Sequence, residues 1–116
     1  MKIAVVGSRT YNNKDFIFNK LDELIKKLNT DITIVSGGAK GVDSIAKEYA
    51  LLNNYGLIEY LPDYSIENKR LAPILRNSTI VNNSDYLVAF TTGSKGTQDS
   101  IYKAMKKGIE VIIHKV

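Results

Sequence analysis

Short apolar runs alternate along the chain with stretches in which apolar residues recur every three or four positions. Five runs read as strands: Lys2–Val6, Ile32–Val35, Leu57–Leu61, Tyr86–Phe90 and Glu110–His114. They are rich in β-branched or aromatic side chains, the pattern of strands covered on both faces. Between them lie helical stripes. Ile17, Leu21, Leu24 and Leu28 fall at i, i+4, i+7 and i+11, and Val42, Ile45, Ala46, Tyr49 and Ala50 make a second stripe. Leu71, Ile74, Leu75 and Ser78 make a weaker third, with Pro73 near its start. Ile101, Ala104 and Met105 make the last, closed by Gly108 as a C-terminal cap.

Strand and helix alternate over the whole length. This predicts an α/β fold: one Rossmann-like domain over residues 1–116, with a five-stranded, mostly parallel sheet and helices on both faces. No repeat, low-complexity segment or linker is visible. The loop Pro62–Asn68 is the most polar connection.

Composition narrows the chemistry. The 116 residues contain no cysteine and a single histidine, His114. Disulfides, thiolate metal sites, cysteine nucleophiles and multi-histidine zinc sites are thereby excluded. Nothing in the pattern asks for a cofactor or metal. The net charge of +4 suits an anionic ligand such as a phosphate ester, or weak contact with nucleic acid. The lysine pairs Lys26-Lys27 and Lys106-Lys107 fall late in predicted helices, where the helix dipole favours cations anyway. The N-terminal apolar run ends at Gly7, too short for a signal peptide or a membrane span. The chain reads as cytoplasmic.

In an open parallel sheet, ligands bind beyond the carboxyl ends of the strands. The residues there are rich in glycine and small polar side chains. After the first strand stand Gly7, Ser8, Arg9 and Thr10. Glycine allows close backbone approach, the hydroxyls donate, and Arg9 offers a planar fork for phosphate or carboxylate. A solvated arginine in an ordinary turn would look the same. After the second strand comes Ser36-Gly37-Gly38-Ala39-Lys40-Gly41-Val42-Asp43, opening directly into a helix. Helix N-termini of this kind bind anions. Asp43 either favours that N-terminus electrostatically, binds a ribose hydroxyl, or holds the loop in shape. After the fourth strand, Thr91-Thr92-Gly93-Ser94-Lys95-Gly96-Thr97 opens another helix, with Asp99 expected in its first turn. Neither G-x-G-x-x-G nor a Walker A G-K-[ST] is present, so dehydrogenase and P-loop chemistry are unsupported. Arg76 and Asn77 precede the fourth strand. Arg76 is either an exposed helical arginine or a phosphate clamp. Tyr11, Tyr60 and Tyr64 are either packing residues or platforms for a base.

G-S-R-T, S-G-G-A-K-G-V-D, L-P-D-Y, R-N and G-S-K-G-T-Q-D occur in this order over essentially the whole chain. In this the sequence resembles the SLOG superfamily, most nearly its stand-alone YspA/YpsA-related branch. The resemblance implies a Rossmann-like fold and a nucleotide-derived ligand. Members similar to LOG proteins hydrolyse nucleoside monophosphates, members similar to DprA bind single-stranded DNA, and others sense cyclic ADP-ribose signals. It also implies that Gly7, Ser8, Arg9, Ser36, Gly37, Gly38, Gly41, Asp43, Arg76, Asn77, Gly93, Gly96 and Thr97 line the ligand pocket. The loop readings add Thr10, Thr92 and Ser94.

The LOG enzymes carry P-G-G-x-G-T-x-x-E, and Ser100 stands where that glutamate falls. A glycosidase needs a carboxylate to stabilise an oxocarbenium-like transition state. Pro73 replaces the glycine common before the R-N pair. The expectation is therefore a binding protein with no catalytic residue. It would take an ADP-ribose-like or cyclic ADP-ribose-like molecule, as a sensor or as a sequestering sponge, and would form homo-oligomers through its helices. The alternatives are a phosphoribohydrolase-like N-glycosidase using Asp43 or Asp99, and DprA-like binding of single-stranded nucleic acid.

Overall fold

The computed structural model describes residues 1–116. The elements alternate as β1 (Lys2–Gly7), α1 (Lys14–Lys26), β2 (Thr33–Ser36), α2 (Val42–Leu52), β3 (Gly56–Glu59), α3 (Ala72–Asn82), β4 (Tyr86–Thr91), α4 (Lys95–Lys107) and β5 (Glu110–Lys115). All strand pairs are parallel, in the order β3-β2-β1-β4-β5. The chain builds outward from β1 to β3, then crosses back to place β4 on the other side of β1. The strand order thus reverses between β1 and β4, where α/β folds form their ligand crevice.

Local signals account for the element ends. The Asn13 side chain accepts from the Phe16 amide at 3.1 Å and caps α1. Pro73 sits in the first turn of α3, where its missing N–H costs nothing. Gly108 ends α4 in the left-handed conformation, at φ 88°.

The sheet separates two apolar layers. On one face α1 and α2 bring Ile17, Leu21, Val42, Ala46 and Tyr49 against Ile3, Val5, Ile34 and Phe90. On the other, α3 and α4 bring Ile80, Val81, Ile101 and Ala104 against Ala4, Val6, Val35 and Leu87. Tyr49 keeps its hydroxyl satisfied by donating to Asp22 Oδ1 at 2.6 Å. Its burial, with that carboxylate, pushes the phenol pKa upward.

Four expectations need correction. Burial on both faces holds for β1, β2 and β4, but β3 and β5 are edge strands whose side chains stay partly open. β3 ends at Glu59, and Leu61 lies beyond it, exposed. The α3 stripe of Leu71, Ile74 and Leu75 faces outward, while the buried positions are Ala72, Asn77, Ile80 and Val81. A polar residue, Asn77, occupies the inner face, so the apolar pattern alone points to the wrong side. On α4 the buried set includes Thr97 and Ser100 with Ile101 and Ala104, and Met105 turns outward. No helix is long and apolar enough to cross a membrane.

Candidate functional site

A cleft of about 430 Å³ opens at the carboxyl ends of β1 and β4. Its floor is the end of β1, Val6 and Gly7, continuing into Ser8, Arg9 and Thr10. One wall is α3, through Pro73, Arg76, Asn77 and Ile80; another is the start of α4, through Thr92, Ser94, Gly96, Thr97 and Ser100. Ala39 and Asp43 close the side of α2. Only three of the sixteen lining residues are hydrophobic, and ten carry a hydroxyl, amide, carboxylate or guanidinium group that could fix an anionic or hydroxylated ligand.

The floor is held by short-range polar contacts. Ser8 Oγ and Thr10 Oγ1 lie 2.9 Å apart, and Ser8 Oγ accepts from the Thr10 amide. The Val42 amide donates to the Ser8 carbonyl at 3.2 Å, tying the β1–α1 loop to the start of α2. This approach demands glycine at 41. A Cβ there would lie 2.5 Å from the carbonyl oxygens of Ser8 and Arg9, and φ is +71°.

Asp43 is the one carboxylate on the cleft wall. It is 7% exposed and accepts from the Ala39 amide at 3.1 Å. Burial raises its pKa, and this outweighs the opposing pull of the Ala39 amide, Arg76, the Gly37 amide and Arg9. Across from it, Arg76 Nη1 donates to the Gly37 carbonyl at 2.7 Å, and Nε donates to Asn77 Oδ1 at 3.1 Å. Burial lowers the pKa of Arg76 from its usual value, with Asp43 opposing. Gly37 lies beneath both groups: a Cβ there would run into the Arg76 guanidinium and stand 3.0 Å from Asp43 Oδ2.

Asn77 is a hub. It accepts from Arg76 and donates through Nδ2 to the Gly96 carbonyl at 3.3 Å and to Asp99 Oδ2 at 3.1 Å. Asp99 in turn pairs with Lys103 at 2.9 Å. It sits in the second turn of α4, not the first as expected, and stands off the cleft wall. Ser100, 2% exposed, donates to the Gly96 carbonyl. At the start of α4, Ser94 Oγ and Thr97 Oγ1 lie 2.9 Å apart, and the Ser94 side chain does not cap the helix. The first amides of α4 therefore remain available at the cleft.

The structure brings together Gly7, Ser8, Arg9, Thr10, Asp43, Arg76, Asn77, Thr92, Ser94, Gly96 and Thr97. Ser36, Gly37, Gly38, Gly41 and Gly93 do not line the cleft. Ser36 Oγ accepts from the Gly38 amide and, with Gly37 and Gly41, shapes the loop behind Asp43. Four further residues line the cleft without being expected there from sequence, Val6, Ala39, Pro73 and Ile80, and Ser100 lines it at the position the LOG resemblance gives to the glutamate. Ala39 sits inside the glycine-rich block, which is signal enough to find it. Val6 and Ile80 look like ordinary core residues, and no local signal marks them. Tyr11 and Tyr60 pack against the two cores, whereas Tyr64 is exposed.

The architecture and sequence both have relatives. The chain is 29% identical over 118 residues to the Gene 61 protein of Mycobacterium phage D29, covering 96% of this chain and 94% of that protein. It is 34% identical over 85 residues to the DNA processing protein DprA of Streptococcus pneumoniae (strain ATCC BAA-255 / R6), covering 69% of this chain but 29% of that protein. The X-ray structure of S. pneumoniae DprA superposes with a TM-score of 0.75 at 24% identity, over 97% of this chain and 49% of that one. A structural-genomics target, TM1055, superposes with a TM-score of 0.71 at 23% identity, over 95% of this chain and 71% of that one. These two superpositions share the fold. Residues 1–65, which hold the G-S-R-T turn and the whole S-G-G-A-K-G-V-D block, match a family model, and the chain belongs to the YspA, cpYpsA-related SLOG family.

Proposed function

We propose that this chain binds a nucleotide-derived anion, an ADP-ribose-like or cyclic ADP-ribose-like molecule, without consuming it. The observation that carries the reading is one cleft where the Arg9 and Arg76 side chains meet the start of α4. Guanidinium forks and free helix amides suit phosphate. The hydroxyls of Ser8, Thr10, Thr92, Ser94 and Thr97 and the Asp43 carboxylate suit ribose hydroxyls.

Binding without hydrolysis is favoured by Ser100, which lines the cleft where a LOG-type glutamate would stand. Asp99 is engaged by Asn77 and Lys103 and offers no substitute. The likeness to the phage relative spans 94% of that protein. Sequestering or sensing the ligand, in the cytoplasm and as a homo-oligomer, fits such a domain.

A thermal-shift panel tests this, with AMP, ADP-ribose, NAD, cyclic ADP-ribose isomers, cyclic dinucleotides and a short DNA strand. A ligand at about 100 times its Kd stabilises by roughly 2.7 kcal/mol. The expected result is a shift of several degrees with an ADP-ribose-like compound, which chromatography then recovers intact. Free base in the recovered sample would instead establish the N-glycosidase reading, with Asp43 as the carboxylate.

A second reading rests on the 34% identity to DprA. Single-stranded nucleic acid would then occupy the cleft, and affinity would fall steeply with salt. A shift with the DNA strand alone, abolished at high salt, would favour it.

A further inference from the structure

We propose that the outer edge of β5 pairs antiparallel with β5 of a second copy of this chain, joining two sheets across a two-fold axis. The two edges of the sheet differ in kind. β3 is four residues long, starts at Gly56 and is soon followed by Pro62. Short length and proline are among the usual means of blunting an edge. β5 is six residues long, pairs residue for residue with β4, and contains neither glycine nor proline.

The register follows from the backbone. The Val116 amide donates to the Thr91 carbonyl at 2.9 Å, so the even-numbered residues turn their backbone groups toward β4. Backbone groups alternate along a strand, which leaves Val111, Ile113 and Lys115 presenting theirs outward. A two-fold axis normal to the sheet keeps each face on its own side. Odd residues then pair with odd, and even with even.

Centring the axis on Ile112 makes the edge self-complementary. Val111 stands opposite Ile113 of the second copy, and the pair repeats by symmetry. Both residues point their backbone groups outward, so each pair exchanges N–H···O=C bonds. Ile112 meets Ile112 of the second copy. Glu110 falls opposite His114 of the second copy, an acid against an imidazole, and no like charges meet. Centring on Ile113 instead would place Val111 opposite Lys115 and lose both matches.

The flank supplies apolar cover. On α4, Lys103 and Lys107 reach toward carbonyls of α3. At 100° per residue, Tyr102 and Met105 lie on the opposite flank, toward the free edge of β5. They are 64% and 57% exposed, on the same face of the sheet as Ile113, which is 39% exposed. The outward stripe on α3 is also apolar, but it offers neither a strand edge nor a self-complementary register.

Light scattering on the wild type, Ile113→Pro, Ile113→Lys and Leu75→Lys tests the proposal, with circular dichroism verifying the fold of each. Proline at 113 removes only an outward N–H, which β4 does not use. The expected result is a wild-type mass twice the 12.9 kDa of one chain. Both Ile113 variants should fall to the monomer mass, and Leu75→Lys should remain dimeric. If Ile113→Pro fails to fold, Ile113→Lys carries the test alone. A monomeric wild type would overturn the proposal. So would a dimer that survives the folded Ile113 variants, or one that is lost only in Leu75→Lys.

Discussion

Arg76, on the helix before β4, donates to the carbonyl of Gly37, in the loop after β2, at 2.7 Å across 39 positions of sequence. The bond holds the guanidinium over the glycine-rich loop while Nε is fixed by Asn77. The charge is thus set in place before any ligand arrives, which lowers the ordering cost of binding.

Arg76→Ala removes a charged donor from the cleft wall. Affinity for an ADP-ribose-like anion should fall by about 1.5–3 kcal/mol, the scale of a hydrogen bond to a charged group. Arg76→Lys keeps the charge but loses the fork, and should recover only part of the affinity. Isothermal titration against ADP-ribose checks both, and unchanged affinity would move the site elsewhere.

Asn77→Ala affects more than binding. The residue is 6% exposed, and its loss strips partners from Arg76, Gly96 and Asp99 together. Stability should fall by about 1–3 kcal/mol, as for buried polar groups left unpaired. Urea unfolding measures this, and the Arg76→Ala variant should lose less.

Two glycines with positive φ should respond differently to alanine. Gly108, at +88°, has nothing within 4 Å of the position a Cβ would take, so Gly108→Ala should cost only the left-handed penalty of about 1–2 kcal/mol. Gly41 adds a clash with the Ser8 and Arg9 carbonyls. Its replacement should cost about 3 kcal/mol or more, since backbone strain alone reaches that scale. Chemical denaturation of the two variants side by side decides it.

Asp43→Asn should stabilise the free protein at neutral pH. Burial raises the Asp43 pKa above its unfolded value of 3.8, so the folded state holds the proton more tightly. The resulting penalty is complete above the folded pKa. It is relieved as pH falls through that value toward 3.8. Asparagine can still accept from the Ala39 amide. The variant should therefore unfold at higher temperature than wild type at pH 7, with the gap narrowing on acidification. Calorimetry across this range is the test. If Asp43 reads ribose hydroxyls, the same variant should bind an ADP-ribose-like ligand more weakly despite its greater stability.

Alternating runs and stripes are enough to place five strands, four helices, the parallel sheet and the Gly108 cap, because those features depend on local periodicity and on backbone chemistry. The glycine-rich loops are legible for the same reason: Gly7, Gly41 and Gly93 mark strand-to-helix turns wherever the strands end. Three things are decided only by packing. The outward turn of Leu71, Ile74 and Leu75 depends on Asn77 finding Gly96 and Asp99 on another helix, which makes a polar residue the inner one. The split between Asp43, on the cleft wall, and Asp99, engaged elsewhere, depends on Lys103 and Asn77 reaching Asp99 first. The strand order, with β4 crossing back beside β1, puts Arg76 within reach of Gly37. Local sequence sets which residues can carry charge and turn the chain; contacts distant in sequence set which of them face one another.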